Sequence, residues 1–64
     1  MNPYEQAARE RKVASLVTVL RKYNIMADEA AHASAKERKD AATAAHVNVP
    51  SDETWAMVVR ELRK

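Results

Sequence analysis

The chain has no cysteine, no glycine and no phenylalanine, and only two prolines, one tryptophan and two tyrosines. Without cysteine there is no disulfide, no thiolate zinc site and no cysteine nucleophile. Without glycine there is no glycine-rich loop to cradle a phosphate. Two lone histidines, His32 and His46, cannot complete a structural metal site. No apolar run approaches the length of a membrane span, roughly 20 residues. The opening "MNPYEQAARERK" lacks the apolar stretch of a signal peptide. The expectation is a soluble, cytoplasmic protein that does not engage a membrane. A formal charge of +2 and a pI near 9.2 lean basic. Acidic residues are interspersed throughout, however, so the balance permits nucleic-acid binding without arguing for it.

What remains is a helical sequence of 64 residues, read as a single domain over 1–64. Chains this small bury only about 60% of their unfolded surface, so the stability margin is thin and the core, or a partner, must supply it. The prolines stand at positions 3 and 50, neither inside a helix. Asn2-Pro3-Tyr4-Glu5 is a helix start, with Asn2 as cap, Pro3 in the first position and Glu5 reaching back. Val13, Leu16, Val17, Leu20 and Tyr23 follow at helical spacing and form a core stripe over an arc of roughly 120°. Asn24 suits a left-handed stop, after which Ile25 and Met26 fold over the end.

Asp28 or Asn24 can cap a second helix reaching His46. Its inner face is nearly all small: Ala27, Ala30, Ala31, Ser34, Ala41, Ala42 and Ala45, with Glu29, His32, Lys36, Lys39, Asp40 and Thr43 opposite. Close approach of a neighbouring helix is the expected use of that face, and a homodimer is another. Arg38 lies within the alanine stripe, its stem suited to apolar surface and its guanidinium to an edge or a carboxylate. In "VNVPS", Val47 and Val49 are expected to anchor the loop. Ser51 caps a third helix whose first turn carries Asp52 and Glu53, whose end carries Arg60, Arg63 and Lys64, and whose apolar stripe is Trp55, Val58, Val59 and Leu62. The fold class is therefore all-α, a compact three-helix bundle with helices near 3–23, 27–46 and 51–63.

Catalytic chemistry finds little purchase here. Glu29-Ala-Ala-His32 has the Glu-x-x-His spacing of bundle metal ligands, but no second pair accompanies it and both residues lie on the polar face. Ser15, Ser34 and Ser51 have ordinary helix or cap explanations, with no histidine and carboxylate arranged beside them. The chain is read as non-enzymatic and without a cofactor.

Two binding classes remain. "DAATAAHVN" followed by "TWAMVVREL" resembles the helix-turn-helix of bacterial repressors, which implies DNA binding through the last helix. The sequence departs from that pattern at His46, where glycine is usual, in a longer loop through Pro50, and in Asp52 and Glu53 at the start of the reading helix. The other class is a small accessory or inhibitory factor that occupies a partner protein. The first helix outruns the third, so its opening turns project, and Tyr4, Arg9, Arg11 and Lys12, with Met57 on the last helix, are the candidate contact residues.

Overall fold

Polar side chains cap the start of three of the four helices; the segment Ala27–Ala31 instead starts on Met26 with no side-chain cap, so neither Asp28 nor Asn24 serves as the cap expected there. The computed structural model describes residues 2–64. Helix α1 spans Pro3–Lys22, and the Asn2 side chain accepts a hydrogen bond from the Glu5 amide at 2.8 Å. At its other end Asn24 turns into the left-handed region, with φ 59°. The Asn24 amide then donates to the Arg21 carbonyl (3.1 Å) and the Ile25 amide to the Leu20 carbonyl (2.9 Å), the paired bonds of a Schellman motif. Asparagine tolerates this conformation better than other non-glycine residues, and the reversal lays Ile25 against the core.

The second helix is not continuous. It is divided into α2, Ala27–Ala31, and α3, Ala35–Ala44. Alanine propensity favours one long helix, but two specific interactions favour the break. The first is a reciprocal capping box between Ser34 and Glu37. The Glu37 amide donates to Ser34 Oγ at 3.2 Å, and the Ser34 amide donates to Glu37 Oε1 at 3.3 Å. In an unbroken helix the Ser34 amide would donate to the Ala30 carbonyl. That carbonyl instead accepts the Trp55 indole N–H at 2.7 Å in the buried interior, together with the Ala33 amide at 3.2 Å.

Helix α3 ends as α1 does. His46 has φ 58°, its amide donates to the Thr43 carbonyl (3.2 Å), and the Val47 amide donates to the Ala42 carbonyl (3.0 Å). Val47 packs against the core and Pro50 is buried, whereas Val49, an expected anchor, is 53% exposed. Helix α4, Asp52–Leu62, starts on Ser51 Oγ, which accepts the Thr54 amide at 3.2 Å. The Ser51 hydroxyl also donates to that of Thr54 at 3.1 Å. Thr54 is the one fully buried polar residue among those described, and this bond satisfies it.

The result is an all-α bundle of three long helices with the short α2 closing one end, and no strand among the described residues. Its core joins Val13, Leu16, Val17 and Leu20 of α1 to Ala30, Ala41, Ala42, Trp55 and Val58. Helix α4 packs on α1 and α2, and α3 packs on α1. Three expectations about the core need correction. Tyr23 caps α1 and is 61% exposed, because the helix ends there and the chain turns away. Ala31 and Ser34 are exposed, because the break between them destroys the continuous small face. Met26 is exposed, leaving Ile25 alone over the end of the bundle.

Arg38 does what its place in the alanine stripe implies. Its guanidinium lies 5.5 Å from the centroid of the Trp55 ring, and Nη1 donates to Asp52 Oδ1 at 2.6 Å. The Asp52 side chain is almost fully exposed, so the ion pair itself contributes little, about 0–1 kcal/mol. The Arg38 side chain is 25% exposed and its Nε is buried, so stacking over the indole is the greater part of the contact. At the far end Arg63 pairs with Asp28 (3.4 Å) and the Arg21 guanidinium donates to the Glu61 carbonyl (3.4 Å). The Lys64 ammonium, hydrogen-bonded to Glu61 at 2.8 Å, holds that carboxyl below its ordinary pKa. Any stability from this pair is therefore present at neutral pH and is lost as pH falls through the lowered value.

Urea denaturation tests this packing. Trp55→Ala should cost about 3–5 kcal/mol. Trp55→Phe keeps a ring but leaves the Ala30 carbonyl only its bond from Ala33, and should cost about 1–3 kcal/mol; an unchanged midpoint would show that the indole bond is not needed. Ala42→Leu should overpack the α1–α3 contact at a cost of about 1–3 kcal/mol. Ala31 faces solvent, so Ala31→Leu should stay within about 0.5 kcal/mol.

Candidate functional site

The first turns of α1 make little use of the core. Residues 3–8 are all exposed, and Tyr4 at 83% is the most exposed of the large hydrophobic side chains described. Farther along, Arg11 is exposed and Lys12 half-buried. With Ala8 and Ser15 they form one wall of an open groove of about 530 Å³, whose opposite wall is His46, Val47 and Asn48. The left-handed turn at His46 makes this wall. Its Schellman bonds bring Val47 back under Ala42 and set the following residues beside α1. Every titratable residue lining the groove is basic: Arg11, Lys12 and His46.

Of the residues singled out in the sequence, Arg11 and Lys12 share this groove, and Tyr4 stands one turn beyond Ala8 on the same helix. Arg9 is half-buried and does not line it. Met57 belongs elsewhere. It is half-buried, packs against the core, and lines a separate groove of about 360 Å³ with Glu10, Val13, Ala14, Arg60 and Glu61. A residue three before Arg60 on an amphipathic helix reads as solvent-facing only if the helix has one buried side. Helix α4 packs on both α1 and α2, which half-covers Met57.

Sequence reading missed the contribution of residues 46–48, and also a second groove of about 370 Å³. Val19, Leu20, Tyr23, Ile25, Ala41 and Ala44 give that groove an apolar floor, and Glu37 and Asp40 rim it. The signal for both lay in Ser34-Ala-Lys-Glu37. That capping box redirects α3, and the direction of α3 decides what lies beside α1.

Other chemistry finds no comparable arrangement. Glu29 and His32 are both exposed at the end of α2, and among the described residues no three His, Cys, Asp or Glu side chains gather as a metal cluster. The backbones of α3 and α4 do not pack on each other; residues 45–51 separate them and Arg38 links them through Asp52 and Trp55. No described helix is long and apolar enough to cross a membrane. Comparison of the chain with protein-family models, with curated proteins and with solved structures returned no match.

The turn that shapes the basic groove can be tested directly. A non-glycine residue in the left-handed region costs about 1–2 kcal/mol, against about 0.5–1 kcal/mol for the extra chain entropy of glycine. His46→Gly should therefore raise stability by up to about 1 kcal/mol, and the β-branched His46→Val should lower it by about 1 kcal/mol or more. Urea midpoints that move the opposite way would show that His46 does not hold this conformation.

Proposed function

We propose that the protein is a non-enzymatic binding module that acts by occupying a partner protein, as an accessory or inhibitory factor. The observation that carries this reading is the groove between α1 and residues 46–48, in which all titratable lining residues are basic, beside a projecting Tyr4. Arginine and tyrosine make good anchors because each joins apolar contact area to a polar tip. Ala8 and Val47 supply the apolar part of the floor. The chemistry fits an acidic protein segment carrying an apolar side chain between its carboxylates. Such a module is read as cytoplasmic, where a domain without cysteine loses nothing to a reducing environment.

A DNA-binding regulator is the second reading, and the basic groove is what favours it. Against it, α4 opens with exposed Asp52 and Glu53, which would face phosphate. The backbones of α3 and α4 do not pack closely on each other, unlike the tight helix pair that sets a reading helix in the major groove.

Replacing Arg9, Arg11 and Lys12 together with alanine separates the two. These residues precede the Val13–Leu20 core, so the thermal midpoint should hold, while capture of a nuclease-resistant protein partner from the native host should be lost. Labelled duplex DNA should bind only at low salt, through nonspecific phosphate contacts. Tight, sequence-selective DNA binding that persists at physiological salt would overturn the protein-binding reading.

A further inference from the structure

The basic groove and the apolar groove lie along one side of α1, toward opposite ends. At about 100° per residue, Tyr4, Ala8, Lys12, Ser15, Val19 and Tyr23 fall within an arc of about 100°, beside the buried stripe rather than on it. The exposed Glu5 and Lys22 lie at the edges of the same arc. Helix α3 runs back along this side. Asp40 and Ala44 stand level with Val19 and Tyr23, and residues 46–48 stand level with Ala8 to Ser15. The face is therefore graded. Its half toward the start of α1 carries Arg11, Lys12 and His46 against the single carboxylate of Glu5; its half toward the end carries Glu37 and Asp40 around an apolar floor, against the single cation of Lys22. An exposed tyrosine stands at each extreme, Tyr4 and Tyr23.

A face with opposite charge in its two halves becomes its own complement when turned about a two-fold axis through its middle. We propose that this face binds a second copy of the chain, with the two α1 helices antiparallel. Tyr4 then stands opposite Tyr23 of the partner subunit, Ala8 opposite Val19 of the partner subunit, and Lys12 opposite Ser15 of the partner subunit. Beyond the tyrosines, this register sets small residues against larger ones and lays each cationic half against the other copy's acidic rim. It also covers both tyrosines and the apolar floor, which a domain with so small a core leaves in water. The inference rests on the binding reading above, takes the same basic groove, and names its occupant as a second copy.

Sedimentation equilibrium from micromolar to millimolar concentration, at low and raised salt, tests it. The native chain should dimerise, less tightly as salt rises. Arg11→Glu/Lys12→Glu sets acid against acid, and Glu37→Gln/Asp40→Lys sets base against base while glutamine keeps the capping box. Each variant alone should weaken self-association by more than about a hundredfold, with thermal melts confirming the fold, and an equimolar mixture of the two should recover the dimer. Because the chain has no cysteine, a second measurement needs no charge change. Tyr4→Cys and Tyr23→Cys chains, mixed and oxidised, should cross-link to each other, and neither should cross-link with itself.

A native chain that is monomeric at millimolar concentration overturns the proposal. So does a dimer indifferent to both charge reversals, or one that cross-links only between identical positions. If the native chain is monomeric yet still captures a protein partner, only the second-copy inference fails. If a folded Arg11→Glu/Lys12→Glu variant still captures that partner, the basic groove itself is the wrong site.

Discussion

The hydrogen bond from the Trp55 indole to the Ala30 carbonyl, 2.7 Å long and buried, is the interaction on which the arrangement of this protein depends. A buried indole N–H without an acceptor is costly, and in an all-helical interior nearly every backbone carbonyl is already engaged. A carbonyl released from its i+4 amide near a helix end is well placed to take a side chain from a neighbouring helix. The break between α2 and α3 releases one: the Ser34 amide turns to Glu37, the helix stops at Ala31, and the Ala30 carbonyl is open to the ring. The largest core side chain and the discontinuity in the alanine-rich segment are thus one feature seen from two sides. Arg38 completes it by lying over the same ring from α3 and reaching Asp52 at the start of α4. Trp55 therefore ties together α2, α3 and α4, the helices that must be held to α1.

A chain without glycine must still reverse direction, and here it does so twice through non-glycine residues in the left-handed region, Asn24 and His46. Each reversal returns one apolar residue to the core. Ile25 closes the end of α1 near Leu20, and Val47 closes the end of α3 under Ala42. That return of apolar surface offsets the local backbone cost, roughly 1–2 kcal/mol for an ordinary residue. Val47 and Pro50 are the loop residues that are seated, and Val49 between them is left in solvent.

Much of this was legible in the chain. The cap at Asn2, the stop at Asn24, the cap at Ser51, the core stripe from Val13 to Leu20 and the central place of Trp55 all follow from residue chemistry acting over a few positions. Arg38 was legible too, since a long cation within an alanine stripe has few other uses. The break at Ser34 was readable in principle, because Ser-Ala-Lys-Glu is a capping box. Uninterrupted alanine periodicity around it argues for a continuous helix, and the balance is tipped by a tertiary bond from Trp55, 25 residues along the chain. The errors at Tyr23, Ala31, Ser34 and Met57 share that cause. Each residue's exposure depends on where a helix stops or a neighbouring helix runs, which short-range periodicity does not encode. The candidate site divides in the same way. Tyr4, Arg11 and Lys12 lie on a helix that could be read directly, whereas the opposite wall at residues 46–48 exists only because α3 ends where it does.

The same geometry accounts for where binding chemistry is available. Helix α1 is the scaffold of the molecule, and it gives one stripe to the interior and a flank to α4, where Met57, Val13 and Ala14 line one groove. Helix α3 covers the remaining flank only in part, because it is short and its inward residues are alanines, which bury well but reach nowhere. A neighbour with larger side chains would stand farther off and fill the flank; alanine brings the backbone close and leaves grooves at either end of the contact. One groove inherits the cations of α1 and the other the carboxylates of α3. The small residues that make a stable fold feasible in so short a chain are therefore also the reason that its charge is sorted along one exposed side. That sorting, rather than the modest net charge of +2, is what the binding proposal rests on.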